Sequence, residues 1–455
     1  MVVDFAIVLW CLLINYVQVQ WAPTGDPLLL TSFIDQNCFD EARNLSKVRS
    51  SFLDIESFSG FLTVDRQKNS HMFFWFIPKN TPAKENNASR APLILWLQGT
   101  QVGCSSLIGL FTENGPFEVI NGELSEVKRK YAWTDEYNVL YVDQFIGSGF
   151  SYTEDKDNGY ISTEKEVSDH LYEALVQFYQ LFPEYKRNDL FIAGESHSGK
   201  HVPAIANKIF TENTRSYLPV FKIPLKGMII GSGYSHPENM IDIAGQLINV
   251  GLIDPYDYED TNLINEARKK VVESIRGKEW ENAYWEMKNF FQQLYNILGF
   301  EIYDYTKDHL KLNQFLTNND RRQAIHVGER EFKYCSTIVE ERFKGNLMKT
   351  VQPWIEDLLA IENYPILFYS GEFSLLSSYS MNEKFLRTLN WTNRTRYAQA
   401  SRKEWHLNST GKVAGYYRSH SNLAHALVRN AGHFVQADQP EAVLELIRLF
   451  TGGKL

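Results

Sequence analysis

Short apolar runs rich in branched residues alternate along the chain with stretches in which apolar positions recur every three to four residues. That alternation predicts an α/β protein built on a mostly parallel sheet. The strand candidates are Leu93 to Leu97, Val139 to Val142, Leu190 to Ala193, Met228 to Ile230 and Ile366 to Tyr369. Between the second and third, Leu171, Ala174, Leu175, Phe178 and Leu181 recur at helical spacing and stop before Pro183, which marks a crossover helix. From about residue 235 to 317 the pattern turns helical, charged and aromatic, with Trp280, Trp285, Phe290 and Phe291, and reads as a cap inserted between strands. A last helix, Pro440 to Phe450, opens on proline and buries Val443, Leu444, Ile447 and Phe450. No internal repeat or low-complexity tract interrupts this order.

The 455 residues are enough for one large α/β domain with an insertion or for two ordinary domains, and length alone does not choose between them. A formal charge of −9 leaves no basic face for nucleic acid, and Lys128-Arg129-Lys130 reads as a solvated turn. The apolar block Phe5 to Val17, followed by polar Gln18 and Gln20, fits a signal peptide over residues 1–20, although its start carries Asp4 and no Lys or Arg. The block is too short for a membrane span, and nothing later resembles one. Residues 21–455 then form the mature chain. Five N-x-S/T sequons, at Asn44, Asn87, Asn390, Asn393 and Asn408, agree with passage through the secretory pathway. With Cys11 lost alongside the signal, Cys38, Cys104 and Cys335 remain. An odd number in an oxidising compartment predicts that one thiol stays reduced or pairs between chains.

The strand ending at Ala193 runs into Gly194-Glu195-Ser196-His197-Ser198-Gly199 and then a helical pattern. Strand, sharp turn and helix are the setting of a nucleophile elbow, with Ser196 as the nucleophile. Small residues at 194 and 198 answer the close approach of strand and helix. His433, in the loop after Ala426-Leu427-Val428, stands where a chain order of serine, acid, histidine places the general base. An imidazole there takes the serine proton and returns it to the leaving group. His197 and His201 share a helical face, but no Glu of H-E-x-x-H accompanies them, so they read as cleft wall and core and no metal site is expected.

Several segments resemble the serine carboxypeptidases, in particular the vitellogenic-like animal branch. They are Ser59 to Val64, Phe73 to Phe76, Trp96-Leu97-Gln98-Gly99, Glu113-Asn114-Gly115-Pro116-Phe117, Gly147 to Tyr152, Gly194-Glu195-Ser196 and Asn430-Ala431-Gly432-His433. The resemblance implies an α/β-hydrolase fold with a helical cap, and release of a peptide's C-terminal residue through an acyl-enzyme on Ser196. It implies that Gln98, Gly99 and Glu195 bind the substrate's terminal carboxylate. A glutamate donating to a carboxylate must be protonated, so acidic pH is expected. The backbone amides of Thr100 and His197 would form the oxyanion hole. A disulfide between Cys104 and Cys335 is implied as well, leaving Cys38 as the odd one of three.

Two departures fall on catalytic parts. Ser374, in Tyr369-Ser370-Gly371-Glu372-Phe373-Ser374, stands where the family has its aspartate. Losing that acid slows such triads by about 10⁴ in kcat; Glu372 is the candidate substitute. The oxyanion loop reads Gly99-Thr100-Gln101-Val102-Gly103, longer than the family's Gly-Gly-Pro-Gly. One lost oxyanion donor costs about 10² to 10³ in rate. Phe145 replaces a family proline. The leading expectation is therefore a secreted, lysosomal or vacuolar serine carboxypeptidase that acts on peptide or protein C-termini with no cofactor. Its rivals are an impaired homologue that binds C-termini without cutting, and an acyltransferase.

Overall fold

The computed structural model describes residues 25–48, 55–79, 90–120, 123–125, 128–215, 221–300, 302 and 306–455. Its frame is an 11-stranded sheet. In chain order the main strands are β1 (Phe58–Asp65), β2 (Ser70–Ile77), β3 (Leu93–Leu97), β4 (Asn138–Val142), β5 (Leu190–Glu195), β6 (Leu225–Gly231), β7 (Ile366–Gly371), β8 (Lys403–His406), β9 (Val413–His420) and β10 (Leu423–Val428). They lie in the order β1-β2-β4-β3-β5-β6-β7-β10-β9-β8, and the short strand Tyr152–Thr153 pairs with β2. The run from β4 to β10 is parallel, while both margins are antiparallel. Every strand predicted from the pattern is present. Of the additional strands in this sheet, β10 extends the parallel run beside β7 and the rest lie at the antiparallel margins.

Alternation along the central strands sorts side chains onto two faces. Leu93, Leu95 and Leu97 join one core with Leu171 and Phe178 of α1 (Glu164–Leu181) and Val202 and Ile205 of α2 (Ser198–Thr214). Ile94 and Trp96 join the other with Val443 and Ile447 of the closing helix Pro440–Thr451. Helix α1 begins where the Thr163 side chain accepts from Glu166 N, and Glu166 reaches back to Ser162 N at 2.9 Å. This reciprocal cap satisfies amides that have no partner within the helix. It ends ahead of Pro183, as its sequence predicts.

Between β6 and β7 the chain is helical, including α3 (Tyr258–Arg276), α4 (Trp280–Leu298), Thr306–Leu316 and α5 (Thr337–Leu347). Cys104 and Cys335 form a disulfide. Cys38 is itself disulfide-bonded, which corrects its reading as the odd cysteine; no cysteine among the described residues is free. Arg129 also departs from expectation. Rather than standing in a solvated turn, it donates to the carbonyls of Phe111, Gly115 and Phe117, which cross the loop beneath it.

Asn44, Asn390 and Asn408 are exposed and Asn393 is half-buried. Asn87 and the signal segment lie outside the described residues. Among the described residues no helix is long and apolar enough to cross a membrane.

Candidate active site

The C-terminal end of β5 turns into α2 through Ser196, whose φ of +51° is the left-handed backbone of a sharp elbow. Gly194 permits it: a Cβ there would meet Leu97 O at 2.6 Å and Ser198 Cβ at 2.7 Å. Ser196 N donates to Gly231 O at 2.9 Å, and Ser196 O accepts from Tyr234 N at 2.7 Å. Main-chain bonds on both sides thus hold the strained residue.

His433 Nε2 lies 3.0 Å from Ser196 Oγ. Its Nδ1 lies 3.2 Å from the carbonyl of Leu376 and 3.2 Å from Ser374 Oγ. A carbonyl only accepts, so Nδ1 carries the proton and Nε2 is left to accept from Ser196. Ser374 Oγ donates to the same Leu376 carbonyl at 2.7 Å. Burial lowers the His433 pKa to about 4, opposed by the bond to Leu376. Glu372 does not take the acid's place: its carboxylate accepts from Asn430 N at 3.0 Å.

The loop after β3 lies against the elbow. A Cβ on Gly99 would meet Glu195 O and Ser198 N, each at 2.1 Å, so only glycine fits. Its carbonyl accepts from His197 N at 2.8 Å, which occupies one of the two amides expected to form the oxyanion hole. The other belongs to Thr100, a buried residue whose Oγ1 lies 2.8 Å from Gln98 Nε2, competing with the two carboxylates for that nitrogen's two protons. The disulfide at Cys104 and the bond from Ser336 N to Gly103 O at 2.8 Å fix the far end of this loop.

Gln98 and Glu195 meet as their resemblance implies, in a cluster that includes two residues the sequence reading did not assign. Gln98 Nε2 donates to Glu195 at 2.7 Å and to Glu113 at 2.9 Å. Gln436 Nε2 donates to the second oxygen of each carboxylate. Burial raises the pKa of both acids, and the neighbouring Glu113 raises that of Glu195 further. Glu113, the last residue of the helical turn Gly109–Glu113, lay inside a motif segment already singled out, and that segment was the signal that could have found it. Nothing local marks Gln436. Asp143 was also missed: it accepts from Ser105 Oγ, Ser106 N and Phe150 N, tying two loops beneath the site.

A cavity of about 480 Å³ opens above Ser196, lined among others by His197, Gln101, Met287, Phe291 and Tyr295. Met287, Phe291 and Tyr295, four residues apart on α4, follow one helical face. His201 stays in the core, with Nδ1 2.6 Å from Glu164. Among the described residues no group of acids, histidines and cysteines is arranged to hold a metal ion.

Residues 48–453 match the family model described as serine carboxypeptidase. The chain belongs to the serine carboxypeptidase family. It is 37% identical over 450 residues to a venom serine carboxypeptidase of Apis mellifera, covering 94% of this chain and 92% of that one. It is 35% identical to the human protein named probable serine carboxypeptidase CPVL, covering 96% and 93%. With the vitellogenic carboxypeptidase of Aedes aegypti it shares 34% identity, covering 94% and 90%. Among solved structures, the prohormone-processing carboxypeptidase Kex1(delta)p of Saccharomyces cerevisiae superposes with a TM-score of 0.78 at 21% identity, covering 90% of this chain and 96% of that one. That likeness shows a shared fold, the α/β-hydrolase fold. For this serine carboxypeptidase relative, the fold and family expected from the motifs are both borne out.

Proposed function

We propose that the chain is a slow serine carboxypeptidase of the secretory pathway, acting at acidic pH on peptide C-termini through an acyl-enzyme on Ser196. The observation that carries this reading is the 3.0 Å contact of Ser196 Oγ with a His433 that is correctly turned by the Leu376 carbonyl. Ser196 attacks the scissile carbonyl as its proton passes to His433 Nε2, and the leaving amine takes that proton. Water then attacks the acyl-enzyme, gives a proton to His433 and releases the shortened peptide as Ser196 recovers its own.

The Leu376 carbonyl performs half of an aspartate's work. Its dipole orients the imidazole, but it carries no full charge to balance the imidazolium. The loss is therefore one of rate, by about 10⁴. Gln98, Gly99 and Glu195 are read as receiving the substrate's carboxylate, with the helices between β6 and β7 as the cap whose α4 face receives its apolar side chains.

The second reading, a protein that binds C-termini without cutting, is favoured by the bond from His197 N to Gly99 O. While it persists, the tetrahedral oxyanion lacks one of its donors. The two readings separate on product release. A blocked dipeptide is incubated at about pH 5 with wild type, Ser374→Asp and Ser196→Ala, and the freed C-terminal residue is measured. Wild-type release above the Ser196→Ala blank supports the slow enzyme. Binding without release by wild type and by Ser374→Asp supports the non-cutting protein.

A further inference from the structure

Gln98 and Gln436 enclose the two buried carboxyls from opposite sides. Gln98 Nε2 donates to Oε1 of both Glu113 and Glu195, and Gln436 Nε2 donates to Oε2 of both. Each amide is turned that way by a donor at its oxygen. The Trp96 indole N–H, which can only donate, meets Gln98 Oε1 at 3.0 Å. The Tyr369 hydroxyl donates to Gln436 Oε1 at 3.0 Å, and burial beside the two glutamates keeps that phenol protonated. Gln436 sits on the short helix Val435–Asp438, three residues after His433, and its side chain is buried.

We propose that Gln436 is a positioning residue that favours the ionised form of the Glu113–Glu195 pair and so lowers the pH above which the site refuses a peptide's C-terminal carboxylate. This rests on the reading that Glu195 receives that carboxylate. Two anions cannot face each other there without a proton between them, so acceptance requires one on the pair. Hydrogen bonds donated to an ionised carboxylate favour its ionised form, and Gln436 donates to both. The other groups around the pair are Tyr369 from β7, Tyr141 from β4 and Arg129. Tyr141 donates to Asn114 Oδ1, and Arg129 acts on Glu113 from a distance. His433 faces Ser196 and Leu376.

The test is binding of N-blocked Phe-Leu to Ser196→Ala protein by calorimetry between about pH 4 and about 8, with and without Gln436→Met. The midpoint of the pH-dependent loss of binding is expected to rise by about one unit in Gln436→Met. The C-terminal amide of the same peptide should show no such dependence in either protein. Tyr369→Phe, which keeps Gln436 but releases its orientation, should move the midpoint the same way by less, and it serves alone if Gln436→Met does not fold. An unmoved or lowered midpoint overturns the inference, as does binding weakened equally at every pH, which is what mere packing would give. Absence of binding by the Ser196→Ala protein at any pH overturns the carboxylate-site reading and this inference together, whereas an unmoved midpoint overturns this one alone.

Discussion

The elbow after β5 and the acid loop after β7 are both held by main-chain bonds to their neighbours, but they differ in the side chain each presents to His433. At the elbow, Ser196 is fixed by Gly231 and Tyr234 and presents its hydroxyl to His433. In the acid loop, Glu372 N donates to Val428 O and Phe373 N to Ala431 O, both at 2.9 Å, and Ser374 still reaches His433. What is missing is the charge. The backbone that places a residue is independent of the side chain it places, so an uncharged serine can occupy this position without disturbing the loop. Position and charge are separable parts of one catalytic residue.

Restoring the charge gives the largest expected effect. Ser374→Asp puts a carboxylate on the loop already facing His433 Nδ1, and kcat for a blocked dipeptide should rise by about 10³ to 10⁴. A variant that folds and binds but gains nothing would mean that the acid loop is misplaced as well as uncharged. A smaller gain is expected at the elbow's other side. Thr100→Gly removes the side chain that fastens the Gly99–Thr100 peptide to Gln98, allowing Gly99 O to release His197 N. Made on Ser374→Asp, it should add about 10² in kcat, the scale of one oxyanion donor. Made alone it should add less, since groups acting as a unit are not additive.

The same separation governs what was legible in the sequence. Parallel strands buried on both faces are continuous apolar runs, and the five central ones were read from pattern alone. At the margin β8 was missed because it buries only Trp405 among Lys403, Glu404 and His406. Ser196 and His433 follow from local motif and chain order. The Leu376 carbonyl could not, since every residue carries one and only the fold says which is aimed at Nδ1. Gln436 escaped for a related reason: its partners Glu113 and Glu195 lie far off in the chain. The occupied His197 amide is likewise a matter of how one peptide plane is turned, which no residue type records.

The smallest expected effect is on the pH dependence of the Ser196–His433 pair. Burial holds the imidazole's pKa at about 4 against an ordinary value of 6.5, and the neutral ring is the base. The rate of Ser196 phosphonylation by a neutral phosphonofluoridate, which carries no carboxylate and so does not depend on the glutamate pair, should be level above about pH 4 and fall tenfold per unit below it. The sign for stability is the same. With the folded value depressed, His433's contribution is full above 6.5 and is lost as pH falls toward 4. A carboxylate at position 374 favours the imidazolium, so Ser374→Asp should move the acid limb to higher pH while raising the plateau. The two profiles then converge as pH falls. If the limb stays near pH 4 while the plateau rises, the new carboxylate is not at Nδ1 and the gain has another source. A limb that moves with the plateau establishes that the acid loop lacks one charge and nothing else.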